Sequence, residues 1–78
     1  MVRAFVLVQT EIEVARTKEV VTALRQLVSG IKTAHAVTGP YDVIAEVEGE
    51  TSEEIATMVE EKVHFVPGVY RTVTCFVI

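Results

Sequence analysis

An α+β sandwich of four strands and two helices is predicted by three features of this sequence. Apolar stretches of strand character lie near both ends and in the middle, two segments with helical spacing separate them, and the two halves echo each other at an offset of 38 residues. With 78 residues there is room for one domain, since domains usually run to about 100–200 residues.

Residues 2–9 are dense in Val, Phe and Leu and precede a polar stretch from Thr10 to Thr17, which marks a strand. Next, Val20, Val21, Leu24, Leu27 and Val28 recur at spacings of three and four, one face of a helix over 17–29. Thr17 is its expected N-cap, and Gly30 stands where a C-terminal αL cap belongs. Residues 31–38 and 42–48 read as two strands. Between them Thr38-Gly39-Pro40-Tyr41 is turn chemistry, so the pair should form a hairpin. Thr51 and Glu54 have capping-box spacing and open a second helix whose inner face is Ile55, Met58, Val59 and Val63. Pro67-Gly68 stops it, and Val69 to Ile78 form a long last strand.

The echo aligns Leu27-Val28-Ser29-Gly30-Ile31 with Phe65-Val66-Pro67-Gly68-Val69, and Val20, Val21 and Leu24 with Met58, Val59 and Lys62. Two βαβ units related in this way, each with a right-handed crossover, lay both helices on one face of a four-stranded antiparallel sheet. The expected fold is therefore ferredoxin-like, βαββαβ.

Composition narrows the function. A chain this short buries only about 60–65% of its unfolded surface and needs added support from disulfides, metal or self-association. Cys75 is the only cysteine, and one cysteine with two histidines makes structural zinc a poor prospect. Self-association remains. Half the residues are hydrophobic, and the strands carry them on both faces. In the first strand Val2, Ala4, Val6 and Val8 share one side, and Arg3, Phe5, Leu7 and Gln9 the other. In the last, Val69, Val73, Cys75 and Val77 lie with Arg71, opposite Tyr70, Thr72, Thr74, Phe76 and Ile78. Monomers rarely expose contiguous apolar patches of more than several hundred Å², so a second copy should cover the helix-free face.

No catalytic constellation stands out. His35 and His64 lack a second ligand at metal-binding spacing and read as structural or surface residues. Cys75, alternating with apolar positions, reads as a small core residue. The apolar run at Met1–Val8 is too short to span a membrane and is followed by nothing like a cleavage site, so a soluble, cytoplasmic protein without a membrane partner is expected. From Asp42 to Glu61 there are eight acids and no Lys or Arg, which splits the formal charge into +2 for residues 1–41 and −6 for 42–78. Such a surface repels phosphate, and the paired sheet aromatics of an RNA-binding face are absent, so no direct nucleic-acid binding is expected.

One segment is more specific, Val37-Thr38-Gly39-Pro40-Tyr41-Asp42-Val43-Ile44. A glycine turn presents backbone N–H groups to an anion, and a carboxylate three residues on accepts from an ammonium group. That pair suits an amino acid. The plainer alternative is that Gly39-Pro40 only makes the hairpin and Asp42 caps it.

The whole chain resembles the effector-binding half of the Lrp/AsnC transcriptional regulators, the RAM domain. The resemblance rests on Val-Thr-Gly-Pro-Tyr-Asp at 37–42, Val-Pro-Gly-Val at 66–69 and the terminal Arg71-Thr72-Val73-Thr74. It implies a single RAM domain over 1–78 without the family's helix-turn-helix. It further implies sheet-to-sheet dimers assembling into rings, often octamers, with amino acids bound at the seams. Carried onto this sequence, Gly39, Tyr41 and Asp42 would form the ligand turn, and Thr72 and Thr74 of a neighbouring subunit would add hydroxyls. The implied role is a non-enzymatic sensor or modulator of amino-acid metabolism, without a cofactor, that joins full-length Lrp/AsnC relatives. Two other readings are a small ferredoxin-like enzyme, such as an acylphosphatase or a dimeric α+β barrel monooxygenase, and a purely structural assembly domain. An acylphosphatase-like loop should offer a phosphate-cradling Arg after the first strand, whereas residues 9–15 offer Thr10, Glu11 and Glu13.

Overall fold

The structure, a computed structural model, describes residues 1–11 and 16–78. Its elements are β1 (Val2–Thr10), α1 (Thr17–Leu27), β2 (Ile31–Ala36), β3 (Val43–Gly49), α2 (Ser52–Met58) running into a π-helical turn (Val59–Val63), and β4 (Val69–Phe76). The four strands form one antiparallel sheet in the order β2-β3-β1-β4. This is the expected ferredoxin-like βαββαβ fold.

Alternation along β1 decides which side is inside. Ala4, Val6 and Val8 are fully buried and face the helices together with Val43, Ala45 and Val47 of β3. Against them pack Val20, Val21 and Leu24 of α1, and Ile55, Val59 and Val63 of the second helical segment. Fully burying side chains such as Leu24 and Ile55 stabilises by about 1.5–3 kcal/mol each. The predicted inner face of the second helix holds, with Met58 packed at its margin.

The caps differ in part from expectation. Thr51 accepts a hydrogen bond from the Glu54 backbone N–H at 3.1 Å, as a capping residue should. Thr17, by contrast, is the first residue of α1; Arg16 takes the cap position with extended backbone and no side-chain hydrogen bond. Gly30 does supply positive φ, +93°, but to the turn entering β2, because α1 has already ended at Leu27 and Val28 is extended. A Cβ at Gly30 would also lie 3.2 Å from Met58 Sδ and 3.3 Å from the Glu48 carbonyl, so conformation and space both select glycine. Of the segment after β1 that was read for a phosphate loop, residues 12–15 lie outside the described residues.

The internal echo survives in three dimensions. Val28 and Val66 are both buried, Leu27 and Phe65 are 67% and 74% exposed, and Gly30 and Gly68 have φ of +93° and +96°. It fails at one pair. Leu24 is core, but its counterpart Lys62 is exposed and Val63 occupies the core instead. The π turn explains the slip: the His64 N–H donates to the Val59 carbonyl, five residues back, at 2.9 Å. Buried Ile55, Val59 and Val63 are spaced by four, and in an ordinary α-helix at about 100° per residue each such step overshoots the turn by about 40°. A wider turn takes up that overshoot and keeps all three inward.

A bulge on the β1–β4 ladder reorients one residue. Gln9 pairs with Arg71 but Thr10 pairs with Val69, so the extra residue Tyr70 turns Val69 toward the core. Val69 was expected to share a face with Arg71 and Val73; strict alternation does not cross a bulge.

Candidate functional site

The loop joining β2 to β3 is held from three sides. The Val37 N–H donates to the Asp42 carbonyl at 2.8 Å and closes the loop on itself, while the Asp42 N–H donates to the Val8 carbonyl of β1 at 2.9 Å. The third tether is the Asp42 side chain. Its Oδ2 accepts from the Thr10 backbone N–H at 2.8 Å and from the Thr10 hydroxyl at 3.1 Å. Thr10 is the one polar residue among the described core, 6% exposed, and this carboxylate satisfies it. Hydrogen bonds to a charged acceptor contribute about 1.5–3 kcal/mol. The Asp42 side chain thus anchors β1 rather than its own turn, a link that local spacing did not reveal because it joins the end of β1 to a loop 32 residues on. Gly39, at the exposed tip, has φ +124° with nothing within 4 Å of an added Cβ, so backbone conformation alone calls for glycine there. Tyr41 and Asp42 are half-buried.

Thr72 and Thr74 lie elsewhere. They pair with Val8 and Val6, whose side chains face the helices, so both threonines point to the helix side of β4. Strand β1 separates them from β3, a distance of about 10 Å for two strand spacings. One chain therefore brings Gly39, Tyr41 and Asp42 together and leaves Thr72 and Thr74 on another surface. Beside Thr72 a groove of about 310 Å³ is lined by Val59, Glu60, His64 and Phe65. None of these four was expected at a site, and no local pattern in the sequence marks them, because the groove forms between separate segments.

The helix-free face is apolar through its middle. Phe5 and Leu7 of β1 adjoin Ile44 of β3 on one side and Val73 and Cys75 of β4 on the other. Phe5 is 37% exposed. Cys75 is exposed too, not a core residue as its alternation suggested, because β4 is an edge strand and Cys75 faces away from the helices. Charges frame this stripe in pairs. Arg3 Nε donates to Glu46 Oε2 at 3.0 Å, and Lys32 Nζ lies 2.9 Å from Glu48 Oε1. The hydrogen bond to Glu48, with its negative charge, raises the Lys32 pKa above the usual lysine value. Its contribution is complete at neutral pH and is lost only as alkaline pH passes that raised value. Two of the eight clustered acids are thus matched by the basic half within the same chain.

His35 lies on the open face across from Ile44, and His64 packs edge-on against Phe65 with ring centroids 5.8 Å apart. Among the described residues no three His, Cys, Asp or Glu side chains are grouped to hold a metal ion. No described helix is long and apolar enough to cross a membrane.

Comparison with known proteins places these features. A family model described as the Lrp/AsnC ligand binding domain matches residues 3–78. The chain is 31% identical over 71 residues to an uncharacterized HTH-type transcriptional regulator of Pyrococcus furiosus, covering 91% of this chain and 47% of that protein. It thus spans about half the length of that relative. A hypothetical protein from Pyrococcus horikoshii superposes with a TM-score of 0.86 at 32% identity, covering all of this chain and 90% of that one. A transcriptional regulator from Neisseria meningitidis, solved as a complex with L-Met, superposes with a TM-score of 0.83 at 19% identity, covering 99% of this chain and 49% of that one. At that identity the likeness is one of fold.

Proposed function

This chain belongs to the Lrp/AsnC ligand-binding domain family, and from that premise we propose that it is a non-enzymatic module that binds a free amino acid and acts through self-assembly. The observation that carries the reading is the Asp42 carboxylate, fixed by Thr10 at the end of β1 beside the Gly39 turn. Both described bonds fall on Oδ2, so Oδ1 has lone pairs to offer an ammonium group, and a rigid turn is what such recognition requires. The L-Met complex of the Neisseria meningitidis regulator supports the ligand class, since its domain has the same fold.

In this reading two copies pair through the helix-free face. Four strands about 4.8 Å apart, each rising about 3.3 Å per residue, make a face of about 20 by 25 Å, so two faces together hide about 1,000 Å², enough for a specific interface. Dimers then meet so that Gly39, Tyr41 and Asp42 of one subunit oppose Thr72 and Thr74 of another, in an octameric ring or a similar assembly. Residues 1–78 act as one effector-binding domain that makes no nucleic-acid contact itself and modulates transcription by joining full-length Lrp/AsnC relatives. A thermal-shift screen of the proteinogenic amino acids, followed by light scattering with the best stabiliser, tests it. At least one amino acid raises the melting temperature and increases the assembled mass; a flat screen would refute the reading.

Salt separates the two contacts. With Glu46 and Glu48 matched within the chain, the exposed acids at 50, 53, 54, 60 and 61 remain for Arg16, Lys18 or Arg25 of neighbouring copies. Such exposed pairs are screened over about 8–10 Å at moderate ionic strength. Sedimentation at rising salt should show the ring dissociating while the apolar dimer persists. Dissociation of the dimer first would contradict this order of assembly.

A further inference from the structure

We propose that the groove beside Thr72 holds the effector's side chain and selects an apolar one; this rests on the amino-acid-binding reading above. Thr72 connects the two. It is one of the hydroxyls assigned to the ligand, and it also lines the groove with Val59, Glu60, His64 and Phe65. The groove lies where the end of the second helical segment, Val59 to Phe65, meets the helix side of edge strand β4 at Thr72. The turn of a neighbouring subunit that supplies Asp42 must approach from this side, because Thr72 and Thr74 point that way.

Held at its ammonium and carboxylate by that turn, an amino acid on Thr72 directs its side chain along the groove. A volume of about 310 Å³ accommodates one comfortably, at the lower end of the roughly 300–1,000 Å³ of small-molecule sites. Phe65 is 74% exposed, a large aromatic surface left uncovered by its own chain. Together with Val59 it offers an apolar wall, and removing that surface from water favours an aliphatic, thioether or aromatic side chain. Glu60 at the rim repels an acidic one. The neighbouring subunit's turn would close the open side of the groove.

Titration calorimetry on the full chain decides this, with L-leucine, L-methionine, L-phenylalanine, L-aspartate, L-lysine and glycine as probes. The apolar probes bind at least about 10-fold tighter than L-aspartate and glycine, and Phe65→Ala weakens them about 10-fold while leaving glycine unchanged. Because Phe65 is exposed, the variant keeps its fold, which an unchanged melting temperature verifies. If an amino acid binds but Phe65→Ala leaves every affinity unaltered, or if a charged probe binds tightest, the groove is not the selecting pocket and only this inference falls. If no probe binds, the amino-acid reading falls with it.

Discussion

Phe5→Asp yields a folded monomer. Phe5 lies on the helix-free face between Glu46 of β3 and Cys75 of β4, partly open to water in a single chain. A carboxylate there stays hydrated in the monomer and costs folding little. In a sheet-to-sheet dimer two such carboxylates would be taken out of water without partners, at several kcal/mol each. A loss of about 5 kcal/mol is more than a thousandfold in association, which moves the dimer out of the micromolar range. Val6→Asp is the instructive contrast. Val6 is the next residue but fully buried against the helices, and its charge would unfold the chain. Sedimentation and circular dichroism should therefore show a native-like monomer for Phe5→Asp and an unfolded or insoluble chain for Val6→Asp. A Phe5→Asp protein with undiminished mass would sink the sheet-to-sheet dimer.

At Asp42 the substitution must be chosen with Thr10 in mind. Asp42→Ala removes any ammonium partner but also strips the buried Thr10 N–H and hydroxyl of their acceptor. Leaving such a group unsatisfied costs about 1–3 kcal/mol, and each kcal/mol lowers the melting temperature of a domain of this size by about 4–8 °C. Asp42→Asn keeps a carbonyl oxygen for Thr10 and removes only the charge. The Asn variant should melt within a few degrees of the parent, yet lose about 10- to 150-fold in affinity for the selected amino acid, the equivalent of a charge-assisted hydrogen bond worth about 1.5–3 kcal/mol. Calorimetry on both variants separates the roles. Equal affinity of Asp42→Asn and the parent would leave the carboxylate with Thr10 as its sole business.

The fold was legible because its determinants are local. Val20, Val21 and Leu24 announce a helix by spacing, Thr51 announces a cap, and the alternation in β1 announces a strand with one face inside. Whatever depends on contacts between distant segments was harder to read. Thr10 at the end of β1 meets Asp42 in the loop before β3, the bulge at Tyr70 turns Val69 inward, and Cys75 looked like core only because nothing local reveals that β4 is an edge. The π turn left a trace in the four-residue spacing of Ile55, Val59 and Val63, legible once Lys62 is seen to break the internal echo. At the site the same division holds. The Gly39 turn is local and could be found from sequence; the groove formed by Thr72, His64 and Phe65 depends on where the second helical segment meets β4.

The sheet order has a kinetic consequence. The first and last strands lie side by side, Ala4 beside Phe76, with a further hydrogen bond from the Val77 N–H to the Arg3 carbonyl at 2.9 Å. Closing a loop that spans nearly the whole chain requires its ends to meet before the pairing rewards them, and proteins dominated by such distant contacts fold slowly, in milliseconds to seconds. During synthesis β1 emerges before β3 and can pair with it, but its other edge waits until β4 follows. Until then a strand apolar on both sides stays half-paired, and the folding of this domain ends, rather than begins, with the register between β1 and β4.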